Sequence, residues 1–225
     1  PEAIIVAVPS DHIIPDNEYF NEVIKVGCKA AENGKIVTFG IQATHPETGY
    51  GYLQLEKDNK FGLKKVLKFI EKPDMRSAIK MLKNENYLWN SGIFMFRAKD
   101  MICAFEKHSQ DILISVKKAV ELSVLDMEFI RLDQKSWANI NEISIDYAIM
   151  EKVNNLVAVP YNSSWSDLGN WDSVWRETKR DQQGVALSKN AHAVECTNSL
   201  LRSENETQQL VGLGLNDIVA IAMPD

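Results

Sequence analysis

Two aspartates stand where a folded chain could use them to hold a cation. Asp11 follows the apolar run 4–8, and Asp167 comes shortly after the apolar run 156–160. Both runs predict strands that are covered on both faces, as in a parallel sheet, whose carboxyl ends share one edge. Two carboxylates that meet at that edge repel each other unless a cation lies between them, and hard oxygen ligands suit Mg²⁺. The plainer interpretation is that each aspartate is a turn or N-cap residue.

A charge pair follows another predicted strand. Glu71 and Lys72 come directly after the run 66–70 and before a proline. Lys72 offers a compact cation for a phosphate group, and Glu71 offers an acceptor for the hydroxyl groups of a sugar. A surface ion pair ahead of a loop is the alternative interpretation.

Two more segments offer groups for a small polar ligand. Residues 48–52, Thr-Gly-Tyr-Gly-Tyr, have glycines on both sides of an aromatic ring, so a planar ligand or a sugar can approach the backbone closely. Asn90 and Ser91 add short polar side chains, and Gly92 adds bare backbone, ahead of the apolar run 93–96. The alternatives are a turn with stacked aromatic rings in the first segment and a hairpin turn in the second.

The order of the predicted elements indicates an α/β fold. A strand at 4–8, a helix that Asp16 caps and a strand at 35–41 make a β–α–β unit, which opens a sheet flanked by helices. The helical pattern stops near residue 180, where short alternating stretches begin. We therefore predict a main domain at 1–180 and a small β-rich region at 181–225, which could begin a β-helix-like domain.

Composition and charge argue against several classes of protein. The net charge is −6 and the pI about 5.3, without a basic tract, which argues against a nucleic-acid surface. No apolar run reaches the length of a membrane span, and three widely separated cysteines argue against a disulfide framework or a zinc site. These features predict a cytoplasmic protein with reduced thiols that binds neither nucleic acid nor membranes.

Taken together, seven segments resemble those of the bacterial mannose-1-phosphate guanylyltransferases. Their order and spacing fit that family, and the resemblance runs from about residue 4 to the end of the sequence. The most specific part is the combination of the long Pro-Glu-Thr-Gly loop with the two segments that follow it at 89–94 and 144–152. The segments are PSDH at 9–12, FGI at 39–41, THPETGYGY at 44–52, FIEKP at 69–73, WNSGIF at 89–94, SIDYAIMEK at 144–152 and WSDLG at 165–169.

The resemblance implies a Rossmann-like nucleotide-diphosphosugar transferase fold, with the catalytic domain at 1–180, and a Mg²⁺-dependent reaction. In that reaction GTP and mannose 1-phosphate give pyrophosphate and GDP-mannose, a precursor for polysaccharide biosynthesis. It further implies that Asp11 and Asp167 are the metal ligands, that Lys72 binds the sugar phosphate and that Glu71 holds mannose hydroxyl groups. The catalytic set is then Asp11, Lys72 and Asp167, and the substrate-binding set is Thr48, Gly49, Tyr50, Glu71, Asn90, Ser91 and Gly92.

One departure from the family pattern affects the expected activity. The family opens with a glycine-rich loop that carries an Arg and a Pro-Lys pair and grips the triphosphate, and this sequence has no such segment ahead of residue 4. We therefore expect a fragment with negligible activity on its own. Two alternatives stay open: a transferase for another nucleotide and hexose phosphate, and a non-catalytic sugar-phosphate-binding or regulatory subunit. A homodimer is compatible with each of them.

Overall fold

The computed structural model describes residues 1–57 and 62–224, which form two compact units. The first unit comprises Pro1–Ser10 and Asp16–Ser163, and the second comprises Asp11–Pro15 and Ser164–Asp225. The domain boundary that the sequence predicts near residue 180 stays a prediction. None of the helices in the described ranges is long and apolar enough to cross a membrane.

Over its described residues the first unit contains a central sheet, a small hairpin, five α-helices and one π-helical turn. The sheet strands are β1 (Ile4–Ala7), β2 (Ile36–Gln42), β3 (Tyr52–Leu55), β4 (Lys64–Ile70), β5 (Tyr87–Arg97) and β8 (Leu156–Tyr161), and the hairpin strands are β6 (Val124–Asp126) and β7 (Phe129–Arg131). The helices are α1 (Asn17–Glu32), α2 (Met75–Leu82), α3 (Ala98–His108), α4 (Gln110–Glu121) and α5 (Gln134–Ala138), and the π-helical turn is Asp146–Met150.

Local sequence signals account for the start of the helices that flank the sheet. The side chain of Asp16 accepts a hydrogen bond from the N–H of Tyr19 at 3.0 Å and begins α1, as predicted. In the same way Asp74 accepts from the N–H of Ser77 at 2.8 Å and begins α2. β1 is the strand that precedes α1 and β4 is the strand that precedes α2, so each cap fixes the start of a helix just beyond a segment that carries candidate site residues.

The α/β fold is confirmed, but the central sheet is mixed, whereas the apolar runs predicted the strands of a parallel sheet. Its order is β1–β5–β2–β8–β4–β3, and β3 also pairs with the first residues of β5. Only β2 and β8 pair in parallel among the described pairings of this sheet. The reason is that β5 lies between β1 and β2, so the strands of the predicted β–α–β unit run in the same direction without contacting each other.

The prediction that β1 is covered on both faces is wrong. Ile5 and Val6 are 42% and 39% exposed, and Val8 is 59% exposed. β1 is the edge strand of the sheet and pairs only with β5 among the described strands. The buried core lies instead in the middle of the sheet, where Ile36 of β2 and Leu53 of β3 are fully buried. Each such side chain contributes about 1.5–3 kcal/mol to stability by leaving water.

The segment Trp-Asn-Ser-Gly at 89–92 lies inside β5. The alternative interpretation, a hairpin turn ahead of the strand, is wrong. Trp89 is opposite Ile41 of β2 and also opposite Tyr52 of β3, so this part of β5 has strands on both sides. Asn90 is consequently only 8% exposed and Ser91 only 2% exposed. Polar side chains that are buried this far need hydrogen-bond partners within the protein.

The described part of the second unit, which ends at residue 224, contains one helix and five short strands, in agreement with the predicted β-rich appendage. The elements are α6 (Trp171–Glu177), β9 (Ala186–Leu187), β10 (Ala191–Val194), β11 (Leu200–Ser203), β12 (Leu210–Leu213) and β13 (Val219–Ala222). All described pairings between these strands are parallel: β11 lies between β9 and β13, and β10 pairs with β12. A small core of this unit consists of Val185, Ala191, Cys196 and Leu201, with partly buried side chains such as Leu210 and Ala220 packed against it.

Candidate active site

The first candidate group lies where β4 ends. Glu71 and Lys72 follow Ile70, the last residue of β4, and Lys72 has a φ of 46°, in the left-handed region that side chains other than glycine seldom adopt. Such a conformation costs of the order of 1 kcal/mol or more, and it persists where the surrounding structure enforces it, commonly at functional sites. The strain is therefore consistent with a functional role for this turn.

Gly51 makes room for the carboxylate of Glu71. A Cβ atom at position 51 would lie 2.6 Å from Oε2 of Glu71 and 3.2 Å from the ring of Phe69. The sequence indicated that a ligand could approach the backbone closely at this glycine. In the structure the side chain of Glu71 occupies that space. Gly51 lets the Glu71 carboxylate lie against the backbone of the loop that precedes β3.

Glu71, Lys72, Asp146 and Glu151 form a charged group of three carboxylates and one ammonium group that act on one another electrostatically. The backbone N–H of Glu71 donates to Oε1 of Glu151 at 3.2 Å, and the charge of Lys72 acts on both Glu71 and Asp146. Burial raises the pKa of Glu71 to about 7, the charges of Asp146 and Glu151 act in the same direction, and Lys72 opposes them. Burial is also the main reason that the pKa of Asp146 is raised.

Asn90 links this charged group to the interior of the sheet. Oγ1 of Thr38, on the neighbouring strand β2, donates to Oδ1 of Asn90 at 2.7 Å, and Nδ2 of Asn90 donates to Oδ1 of Asp146 at 3.4 Å. One amide hydrogen of Asn90 then has no protein partner among the described residues. The neighbouring Ser91 is held by a local bond, since its Oγ accepts from the N–H of Ile93 at 3.2 Å.

The loop ahead of β3 packs on the same part of β5. The rings of Tyr50 and His45 both meet the ring of Trp89 edge to face, with centroids 5.2 and 4.9 Å away. The N–H of Gly49 donates to Oε1 of Glu47 at 2.8 Å. The structure therefore brings this loop, with Thr48 half-buried within it, to the strand that carries Asn90 and Gly92, but it does not leave the Gly49 N–H unpaired.

The two predicted metal ligands lie in the second unit. The segments that carry them are joined by an antiparallel bridge, in which Ile13 and Ser166 exchange hydrogen bonds of 2.8 and 3.1 Å. Burial lowers the pKa of His12, whereas the charges of both Asp11 and Asp167 raise it, so both carboxylates lie close enough to His12 to act on it.

Asp167 is held in a tight turn. Its Oδ1 accepts from the N–H of Gly169 at 3.0 Å, and a Cβ atom at position 169 would lie 2.6 Å from its other oxygen. Leu168, between them, has a φ of 51°. Asp167 thus resembles Glu71 in two respects, since each carboxylate lies against a glycine and precedes a residue with strained backbone.

Asp146 and Glu151 are the site residues that sequence reasoning missed as individual groups. Both belong to the segment 144–152, which the sequence analysis used only for the family resemblance. In an α-helix two residues five positions apart do not share a face. Here the N–H of Glu151 donates to the carbonyl of Asp146 at 3.0 Å, a π-helical bond, and the wider turn directs both carboxylates toward Glu71 and Lys72.

The sequence and the fold of the chain match a known class of enzymes. Residues 1–184 match the nucleotidyl transferase family, and the chain belongs to that family. The chain is 40% identical over its whole length to a mannose-1-phosphate guanylyltransferase of Sinorhizobium fredii, of which it covers 43%. It is 38% identical to a mannose-1-phosphate guanylyltransferase of Salmonella montevideo, with 99% of this chain and 48% of the relative covered.

A solved structure supports the same placement. The crystal structure of a mannose-1-phosphate geranyltransferase from Thermus thermophilus superposes with a TM-score of 0.84 at 26% identity, covering 99% of this chain and 63% of that one. The resemblance to mannose-1-phosphate guanylyltransferases that the sequence motifs indicated is thereby confirmed. The chain spans about half the length of the curated relatives it matches.

Proposed function

We propose that the protein transfers a guanylyl group from GTP to mannose 1-phosphate, which gives GDP-mannose and pyrophosphate. The observation that carries the proposal is the cluster at the end of β4, where one ammonium group, three carboxylates and a buried amide lie together. A phosphorylated sugar presents a phosphate and a row of hydroxyl groups, and this cluster offers a cation for the former and acceptors for the latter.

The cluster divides the binding of the sugar phosphate between its members. Lys72 pairs with the phosphate as a point charge. The ionised carboxylate of Glu71 accepts from two neighbouring hydroxyl groups, and the remaining amide hydrogen of Asn90 donates to a ring substituent. The backbone of the loop at Gly49 and Tyr50 covers the other edge of the sugar. The substrate is then oriented by groups on three separate elements of the first unit, which raises the effective concentration of its attacking oxygen.

Asp11 and Asp167 suit a magnesium ion by the chemistry of their donors. Both act electrostatically on the same histidine, and their segments are tied by the Ile13–Ser166 bridge. Within the described ranges no group of three or more His, Cys, Asp and Glu side chains could hold a metal. Two carboxylates suit Mg²⁺, which commonly keeps water and substrate phosphates as its other ligands. When bound, the ion would neutralise charge on the triphosphate.

The reaction needs no covalent intermediate on the protein. An anionic oxygen of the sugar phosphate forms a bond to the α-phosphorus of GTP, and the bond from that phosphorus to the bridging oxygen breaks, so that pyrophosphate leaves with the electron pair. The attacking oxygen is already ionised at neutral pH, and no general base is required. The task of Lys72 and Glu71 is to hold the sugar phosphate so that this oxygen faces the phosphorus in line.

A substrate panel tests this proposal. The protein as its gene encodes it is incubated with Mg²⁺, one nucleoside triphosphate and one hexose 1-phosphate, and pyrophosphate release is measured for each combination. We expect GTP with mannose 1-phosphate to give the highest kcat/KM. A higher value for another pair would reassign the substrates within the family. Binding of mannose 1-phosphate without turnover of any pair would favour the non-catalytic subunit.

A further inference from the structure

We infer that Asp146 is a positioning residue of the sugar-phosphate site: it sets the orientation of the Asn90 side-chain amide and holds the Lys72 ammonium group beside Glu71. This inference rests on the proposed function, because the site it serves is the proposed one. It assigns to Asp146 a role that is separate from binding the substrate directly.

The side-chain amide of Asn90 can adopt two orientations, which differ in whether its oxygen or its nitrogen faces Thr38. Thr38 is fully buried, and its hydroxyl can donate either to Oδ1 of Asn90 at 2.7 Å or to the carbonyl of Ile93 at 3.2 Å. If it donated to Ile93, the same oxygen could accept from Nδ2 of a flipped Asn90. Thr38 alone therefore does not decide which end of the amide faces inward.

Asp146 removes this ambiguity. An ionised carboxylate only accepts hydrogen bonds, so Asn90 must present Nδ2 to Oδ1 of Asp146, as it does at 3.4 Å. Oδ1 of Asn90 then has to face Thr38. A flipped amide would bring its oxygen against the carboxylate, which is repulsive in a half-buried setting. With Asp146 ionised, the free amide hydrogen of Asn90 has one fixed direction.

The negative charge of Asp146 also acts on Glu71 and Lys72, the two residues that the sequence analysis assigned to sugar-phosphate binding. Lys72 and Asp146 attract each other, whereas Asp146 and Glu71 repel each other, and Glu151 repels both carboxylates. Asp146 itself is further stabilised by its own backbone N–H and by Ser144. Removing its charge therefore leaves Lys72 with one attractive partner fewer and lets Glu71 ionise more readily.

The experiment compares Asp146→Asn with Glu142→Gln in the protein as its gene encodes it. Both changes delete one carboxylate charge, but Glu142 is exposed and lies ahead of the π-helical turn. We expect Asp146→Asn to raise the KM for mannose 1-phosphate about tenfold and to change the KM for GTP less than about twofold, since an asparagine accepts either orientation of Asn90. Glu142→Gln should have the same KM values for mannose 1-phosphate and for GTP as the wild type.

A second readout does not depend on turnover. Glutamate residues are labelled with ¹³C at the side-chain carboxyl, and Glu71 is titrated in the wild type and in Asp146→Asn. We expect the pKa of Glu71 to fall in the variant, and we expect the side-chain amide signals of Asn90 to shift or broaden. A purely structural role for Asp146 would lower stability without this change in titration.

The outcomes separate the inference from the proposed function. A wild type that makes no GDP-mannose overturns the proposed function, and the titration of Glu71 then decides the inference. Three results in Asp146→Asn would each overturn the role of Asp146. They are an unchanged pKa of Glu71, an unchanged KM for mannose 1-phosphate, and equal increases in the KM values for mannose 1-phosphate and GTP. Should Asp146→Asn not fold, Thr38→Val tests the same point. Because Asp146 still fixes the Asn90 amide in that variant, the KM for mannose 1-phosphate should stay within about twofold of the wild-type value, and a roughly tenfold rise would show that Thr38 sets the orientation instead.

Discussion

Replacing Asp167 or Asp11 by Asn is expected to reduce nucleotidyl transfer by at least about a thousandfold, or about 4 kcal/mol of transition-state stabilisation. An amide keeps the size of the side chain but loses the charge that would hold Mg²⁺. Oδ1 of Asp167 accepts a hydrogen bond from the N–H of Gly169, which an Asn oxygen can also accept. The fold should therefore survive, and stopped-time assays of GDP-mannose formation measure the loss.

A matched control for this result is Asp172→Asn. Asp172 lies in α6 of the same unit and pairs with Arg176 on the surface, so the same change there should leave the rate within about twofold. Binding of Mn²⁺, followed by its electron spin resonance signal, provides a readout besides activity. Undiminished Mn²⁺ binding and transfer in both Asp11→Asn and Asp167→Asn would show that these carboxylates do not hold the metal.

Glu71→Gln is expected to weaken the binding of mannose 1-phosphate. It should also abolish the part of the pH dependence of kcat/KM that comes from the ionisation of Glu71. With its pKa at about 7, Glu71 is mostly protonated at pH 6 and mostly ionised at pH 8. Only the ionised carboxylate accepts from two hydroxyl groups without offering a proton of its own, and charged hydrogen bonds are the stronger ones. The kcat/KM for mannose 1-phosphate should therefore rise about tenfold from pH 6 to pH 8 in the wild type.

The glutamine variant resembles the protonated wild type at every pH. At pH 8 its kcat/KM for mannose 1-phosphate should be roughly thirtyfold lower, equivalent to about 2 kcal/mol, and the difference should narrow toward pH 6. The substrate phosphate also titrates near pH 6, but it does so equally for both proteins, so their ratio isolates Glu71. A ratio that stays constant from pH 6 to pH 8 would contradict the assigned ionisation of Glu71.

The parts of the fold with local causes could be predicted from the sequence. Asp16 and Asp74 indicate where helices begin, because an Asp that precedes an amphipathic run can cap its first free N–H groups. The end of β4 and the charge pair after it were also predictable, since a β-branched and aromatic run stops there at Glu-Lys-Pro. These signals lie within a few residues of the features they determine.

Features that depend on distant pairing could not be predicted in this way. Nothing near Trp89 indicates that β5 extends through Asn90 and Ser91, because that follows from pairing with both β2 and β3. The exposure of β1 follows from its place at the edge of the sheet, which its apolar sequence does not reveal. Likewise, the π-helical turn that directs Asp146 and Glu151 to one side has no signature in residue type.

Binding of mannose 1-phosphate at the end of β4 is the central claim, and a titration of the ¹⁵N-labelled protein without nucleotide tests it most directly. We expect saturable shifts of the Glu71 and Asn90 amides and the Trp89 indole, with a dissociation constant of roughly tens of micromolar to millimolar. Lys72→Ala should abolish the shifts, and Lys68→Ala, exposed on the preceding strand, should preserve them. A folded sample without saturable shifts, or equal binding by Lys72→Ala, would contradict the sugar-phosphate site.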